Sequence, residues 1–446
     1  MRAVFVPDGF GFTLALFLGL ALLMGEKGLL RRGSGLAAAL CLGVGQDLLV
    51  LIPPLLVLAW LGVAPRWRRG LGAGLFLLGL ALFAAPGPEG APLHDFAALR
   101  EHPPPAGRFA AGLVFLLAGA ALSWREKMAE WGGAALLLLS YTAAPLAPPA
   151  VSPALPLIGA ALLAACEALY GELAGKEGGE GVMLCAEALF GFGIALFARG
   201  LDRPDLAAPA FTGALGLTGL TVLSPLLRSL SGSLGKGGSL LAVLAALPIP
   251  GAAGAGFLAG ILAGALGVGR AMADFFFLLV LLGGAGGLLT VWAGLALARA
   301  LAAFSGEGRT THPAGEKRLG EMRGRLTPEA GVFLILGLLP GVSWSWLAPL
   351  GAGLAGAAEP PHLASLLPVL AVGLIFLTWL GARLERRGGV GEEDVPLALV
   401  RSLVCGALDD MGLALIRTAR RSAITSARKA LFALHLRERR RAEGEP

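Results

Sequence analysis

Tyrosine and histidine are scarce in this chain, with two and five copies among 446 residues, and there are only four cysteines. Cys41, Cys166, Cys185 and Cys405 form no C-x-x-C pair and lie in or beside apolar runs, so neither a metal site nor a disulfide framework is indicated. The histidines are scattered in the same way. Haem, iron–sulfur and zinc chemistry have no ligand set here, and no cofactor is expected. Charge is also sparse, at 15% of residues, against roughly 25% in soluble domains. No nucleophile, base and orienter can be assembled from these residues, so catalysis by the chain alone is not expected. No nucleic-acid-binding module accompanies the arginines, which removes nucleic acid as a partner.

Apolar residues fill the space left by these absences. The chain is 56% hydrophobic with a mean hydropathy of +0.75, the profile of a polytopic membrane protein. Its 68 glycines suit helices whose backbones approach closely in lipid, although a biased genome composition would produce the same count. Arg2 precedes an apolar run at about 10 to 25, and no A-x-A cleavage pattern with a polar mature domain follows. The run is therefore expected to be a membrane helix rather than a removed signal.

Apolar runs succeed one another from about 8 to 25 as far as 363 to 382, each near the length a ~30 Å hydrocarbon core requires. The expected fold is all-α, with about 13 transmembrane helices (12 to 14), one of them discontinuous. The run 35 to 62 carries Gln46 and Asp47 at its centre, which predicts two short helices meeting in a turn. With that run split, and the N-terminus outside, most basic residues before position 390 fall on the cytoplasmic side, as the positive-inside rule requires. Residues 1–390 are expected to form the membrane domain. Residues 391–446 mix apolar residues with arginines at helical spacing, as a basic amphipathic cytoplasmic tail does.

One stretch interrupts this pattern. LPIPGAAGAGFLAGIL at 247 to 262 places Pro248, Pro250, Gly251, Gly254 and Gly256 inside a membrane-length run. Proline removes a donor and clashes with the preceding turn, and lipid offers no replacement hydrogen bond. Such a break is tolerated where protein or a water-filled cavity surrounds it, as in transporters.

This stretch resembles the broken twelfth helix of the antiporter-like subunits of respiratory complex I, membrane-bound hydrogenases, formate hydrogenlyase and Mrp antiporters. The family's G-x-P-P-x-x-G-F pattern ends here on Gly256-Phe257. Its following charged position falls on Gly260, or on Ala259 or Ile261, so the charge is missing. LLRSLSG at 226 to 232 is similar to the family's K-S-L-L-F-x-x-G segment, with Arg228 where lysine is usual and Ser229 on the serine. EGVMLCAEALFGFGIALFARG at 180 to 200 resembles L-L-A-Y-S-S-I-E-N-I-G-I-I-L, with Glu187 near its serines and Gly193 on its glycine. GLALARALAAFSGEGR at 294 to 309 and TPEAGVFLILGLLPGV at 327 to 342 also fall in family order. The likeness covers about 150 to 350. Before that it thins: Asp47 can be laid on an acidic turn position, the fifth-helix glutamate would fall on Pro53 or Pro54, and Lys127 in SWREKMAEW is a poor substitute for the seventh-helix lysine.

The resemblance implies a cytoplasmic-membrane subunit of a proton-translocating NADH-quinone oxidoreductase or a membrane-bound hydrogenase, surrounded by lipid and by the complex's other membrane subunits. Within apolar runs, ionisable groups are functional candidates by default, and the ion-path candidates are Glu167, Glu187, Arg228 and Asp47. Glu167 and Glu187 could equally be snorkelling or structural side chains. Two alternatives stay open: a degenerate, non-conducting subunit of the same assembly, and an unrelated secondary transporter.

Overall fold

A computed structural model describes residues 9–26, 28–45, 47–86, 92–124, 127–148, 154–173, 179–233, 253–272 and 340–362. The chain divides into a unit of Met1–Gly388 and one of Gly389–Pro446; the second, with the amphipathic tail expected there, lies outside the described residues.

Most of the described residues are helical, and the strands among them form a two-residue antiparallel ladder of Ala85–Pro86 with Pro92–Leu93. The helices are α1 Gly9–Gly25, α2 Leu29–Val44, α3 Leu48–Leu61, α4 Arg66–Phe83, α5 Phe96–Glu101, α6 Ala106–Trp124, α7 Gly133–Ala143, α8 Leu155–Leu173, α9 Gly179–Gly200, α10 Pro204–Ser233, α11 Ala253–Met272 and α12 Pro340–Ala355. A π-helical turn, Met128–Gly132, leads into α7, and a 3₁₀ turn, Ala144–Leu146, ends it.

The all-helical expectation stands, but that of about 13 membrane-spanning helices in an antiporter-like bundle does not. Among the described residues only two helices, Ala106–Trp124 and Val182–Gly200, are long and apolar enough to cross a membrane. Gly9–Leu23, Leu48–Leu61, Leu155–Ala165 and Gly256–Met272 are apolar but shorter. The sequence runs overstate helix length because their ends are consumed by other structure. The run 132 to 148 becomes an α-helix of 11 residues between a π turn and a 3₁₀ turn. The run 70 to 87 belongs to a helix that starts earlier and takes in Arg66, Arg68 and Arg69.

Glycine sets how the helices pack. On α4 and α6, a Cβ added to Gly72 would lie 2.9 Å from the Gly119 carbonyl, and one on Gly119 2.9 Å from the Gly72 carbonyl. Gly79 and Gly112 repeat the reciprocal contact seven residues along, at 2.9 and 3.1 Å. The two backbones thus run antiparallel in direct contact, as small residues allow in apolar surroundings. The core sits where α1, α7, α9 and α10 meet. There Phe10 stacks on Tyr141 at 5.3 Å and packs against Phe192 and Phe211 at 6.5 and 6.1 Å.

Candidate functional site

The run 35 to 62 divides at Asp47. Its carboxylate accepts the Leu49 N–H at 2.7 Å and caps α3, satisfying one of the donors that a helix start leaves unpaired. The second oxygen lies 2.9 Å from Nδ1 of His94, and the backbone bridges Asp95. Asp47 therefore fastens the start of α3 to the segment that begins α5. These contacts give it a structural task.

Glu187 is placed very differently. It is 1% exposed, and among the described residues neither carboxylate oxygen has a hydrogen-bond partner. Neighbouring residues of α9 establish which way it faces. Cys185 turns toward Gly133 of α7, and Gly193 toward Ile158 of α8. Gly191 and Ile194 face Ile261 and Gly264 of α11 and Ala210 of α10. At 100° per residue, Glu187 lies on the face of Gly191 and Ile194, one turn toward the start of the helix. The pairs 191 with 261 and 194 with 264 run in the same direction, so Glu187 stands at about the level of Phe257, one turn into α11.

The start of α11 is what remains visible of the sequence break. Gly254 and Gly256 are buried in its first turn, whereas Pro248, Pro250 and Gly251 lie outside the described residues. A helix start presents unpaired N–H groups and the positive end of the macrodipole. The structure thus brings Glu187 level with that end. Glu167 lies on α8 and Arg228 on α10, but their side chains are outside the described residues.

Gly260 occupies the position where the family resemblance expects a charge. A Cβ there would meet the Pro209 carbonyl at 2.6 Å and the Trp344 ring at 2.7 Å. No side chain fits, because α10 and α12 close over that point of α11.

A second group of charges was read from the sequence only as Lys127, without its partners. Glu26, 3% exposed, accepts the Trp131 Nε1–H at 3.1 Å. Its carboxylate also lies 3.6 Å from Arg31 and 3.8 Å from Lys127. Lys127 in turn donates to Glu130 at 2.6 Å. Two acids and two cations balance one another, which is what makes a buried charge tolerable. The π-helical turn between Met128 and Gly132 carries Glu130 and Trp131 in this cluster, and such turns recur at functional sites. The signals were the short charged words GEKG and REKMAEW. They lie about 100 residues apart in sequence, so their pairing is invisible without the fold. Cys185 faces the side of this cluster and Glu187 the opposite side of α9.

Among the described residues no three metal-ligating side chains converge. Compared with known proteins, the chain matches no family model and no curated sequence.

Proposed function

We propose that this chain is a subunit of the cytoplasmic membrane belonging to a complex I-like or hydrogenase-like redox-driven ion pump, and that Glu187 is a protonatable station on its ion path. The observation that carries the reading is the enclosed Glu187 carboxyl, without a hydrogen-bond partner among the described residues and level with the start of α11. Burying an ionised carboxylate without a partner costs several kcal/mol, and such a group persists where its proton or a cation comes and goes.

The exterior supports a lipid setting. Phe12, Leu16, Leu20 and Leu23 form an exposed apolar stripe along α1. Trp60 and Trp67 are exposed near helix ends, with Arg31 and Arg68 lying 5.3 and 5.2 Å over their rings. Tryptophan and arginine together suit the level of lipid headgroups.

The test is ion flux in proteoliposomes holding the purified assembly and driven by its own redox reaction. Glu187→Gln is expected to lower ions moved per electron while assembly and redox turnover persist. Unchanged stoichiometry removes Glu187 from the path and leaves a non-conducting, bracing subunit. That second reading has its own support: Asp47 is a helix cap, and Gly260 has no room for a charge.

A further inference from the structure

Away from Glu187, a cavity of about 880 Å³ opens between α1, α5, the end of α7, α9 and α12. Its size falls within the roughly 300–1,000 Å³ of small-molecule sites. Phe10, Leu196 and Leu350 supply apolar wall, and Arg100 and Arg199 bring two guanidinium groups to the same space. Among the described residues no carboxylate lines it.

Neither arginine is placed casually. Arg100 sits on α5, where Asp95 caps the helix by accepting the Ala97 N–H at 3.1 Å. Phe96 and Leu99, 1% and 0% exposed, anchor that helix in the core. Arg199 ends the apolar span of α9. The two are about 100 residues apart in sequence, yet close enough in space to repel one another. Among the described residues Arg199 forms no ion pair. The acid nearby, Asp205, has both oxygens engaged by Arg203 at 2.9 and 2.8 Å. Two like charges held by anchored helices at the mouth of an apolar cavity favour an anion between them, and guanidinium forks match phosphate geometry.

We propose that this cavity binds a phosphate-bearing anion between Arg100 and Arg199, with any attached apolar portion lying against Phe10, Leu196 and Leu350. The phosphate could belong to an anionic lipid headgroup or to a free solute. Basic pockets between membrane helices hold lipid headgroups in this way. The site is independent of ion conduction.

The full chain in detergent is titrated with phosphatidylglycerol, with phosphatidylcholine of the same acyl chains, and with inorganic phosphate. Wild type is expected to bind phosphatidylglycerol roughly tenfold or more tighter than phosphatidylcholine, and Arg199→Gln or Arg100→Gln to weaken that binding by roughly tenfold. Inorganic phosphate that binds and displaces the lipid identifies a solute site; binding of phosphatidylglycerol alone identifies a headgroup site. Gly353→Trp guards against misfolding of the arginine variants. Gly353 lines the cavity with nothing within 4 Å of an added Cβ, so tryptophan there fills the space and blocks binding with both guanidinium groups intact. Arg66→Gln, which removes an exposed charge on α4, leaves binding unchanged. The proposal fails if wild type binds both lipids equally and ignores phosphate. It also fails if Gly353→Trp binds as wild type does, or if Arg66→Gln weakens binding as much as Arg199→Gln.

Discussion

Of the two helices long and apolar enough to cross a membrane, α6 has 39% of its apolar window buried and α9 has 89%. Their compositions look alike, with mean hydropathies of 1.6 and 1.7, but their surroundings differ. α6 lies at the periphery: Gly112 and Gly119 press against α4 while Val114, 50% exposed, faces out. α9 is enclosed by α7, α8, α10 and α11, so every face must satisfy protein. Hydropathy measures how apolar a helix is, not what covers it. A carboxyl on the outer face of α6 could reach water or headgroups by snorkelling; Glu187 on α9 has no such exit.

The largest expected effect breaks the peripheral packing. Gly112→Leu drives a side chain into the Phe83 ring and toward the Gly79 carbonyl. It should cost about 3 kcal/mol of stability, read by thermal unfolding in detergent, whereas Gly107→Leu on the same helix meets nothing within 4 Å and should leave the unfolding temperature in place. Next comes the buried charge cluster. Trp131→Phe removes the donor to Glu26 and should cost ~2 kcal/mol.

Glu187→Met sharpens the contrast by removing the acid from the enclosed interior of α9. Because it removes a buried group that has no hydrogen-bond partner among the described residues, it should raise stability by about 1–2 kcal/mol while ion transfer falls. A loss of stability would mean that Glu187 serves the fold.

The smallest effect belongs to the exposed connection after α9. The Arg203 hydrogen bonds hold the Asp205 carboxyl below the usual carboxylate range. That contribution is present above Asp205's unfolded value of 3.8 and is lost as pH falls through its lowered folded value. In acid unfolding, Arg203→Gln should therefore be less stable than wild type above that range and converge with it below, and only slightly, because Asp205 is 59% exposed.

Local chemistry was legible. The division at Asp47 could be read because a polar side chain with a capping oxygen inside an apolar run has few other uses. Glu187 stood out because a lone acid in an apolar helix is costly wherever it lies. Helix length was not legible: the π turn before α7 and the arginines at the start of α4 shorten or polarise runs that hydropathy averages into spans.

Residue order alone pointed to helical structure, an apolar character as far as about residue 390, and which charges are out of place, since each follows from a side chain and its near neighbours. It could not say that Glu26 meets Lys127 and Trp131, that Gly260 is closed off by Pro209 and Trp344, or that Arg100 and Arg199 share one cavity. Those contacts join residues about 50 to 100 positions apart, and their energies exist only once helix packing has brought the groups together and excluded water from between them.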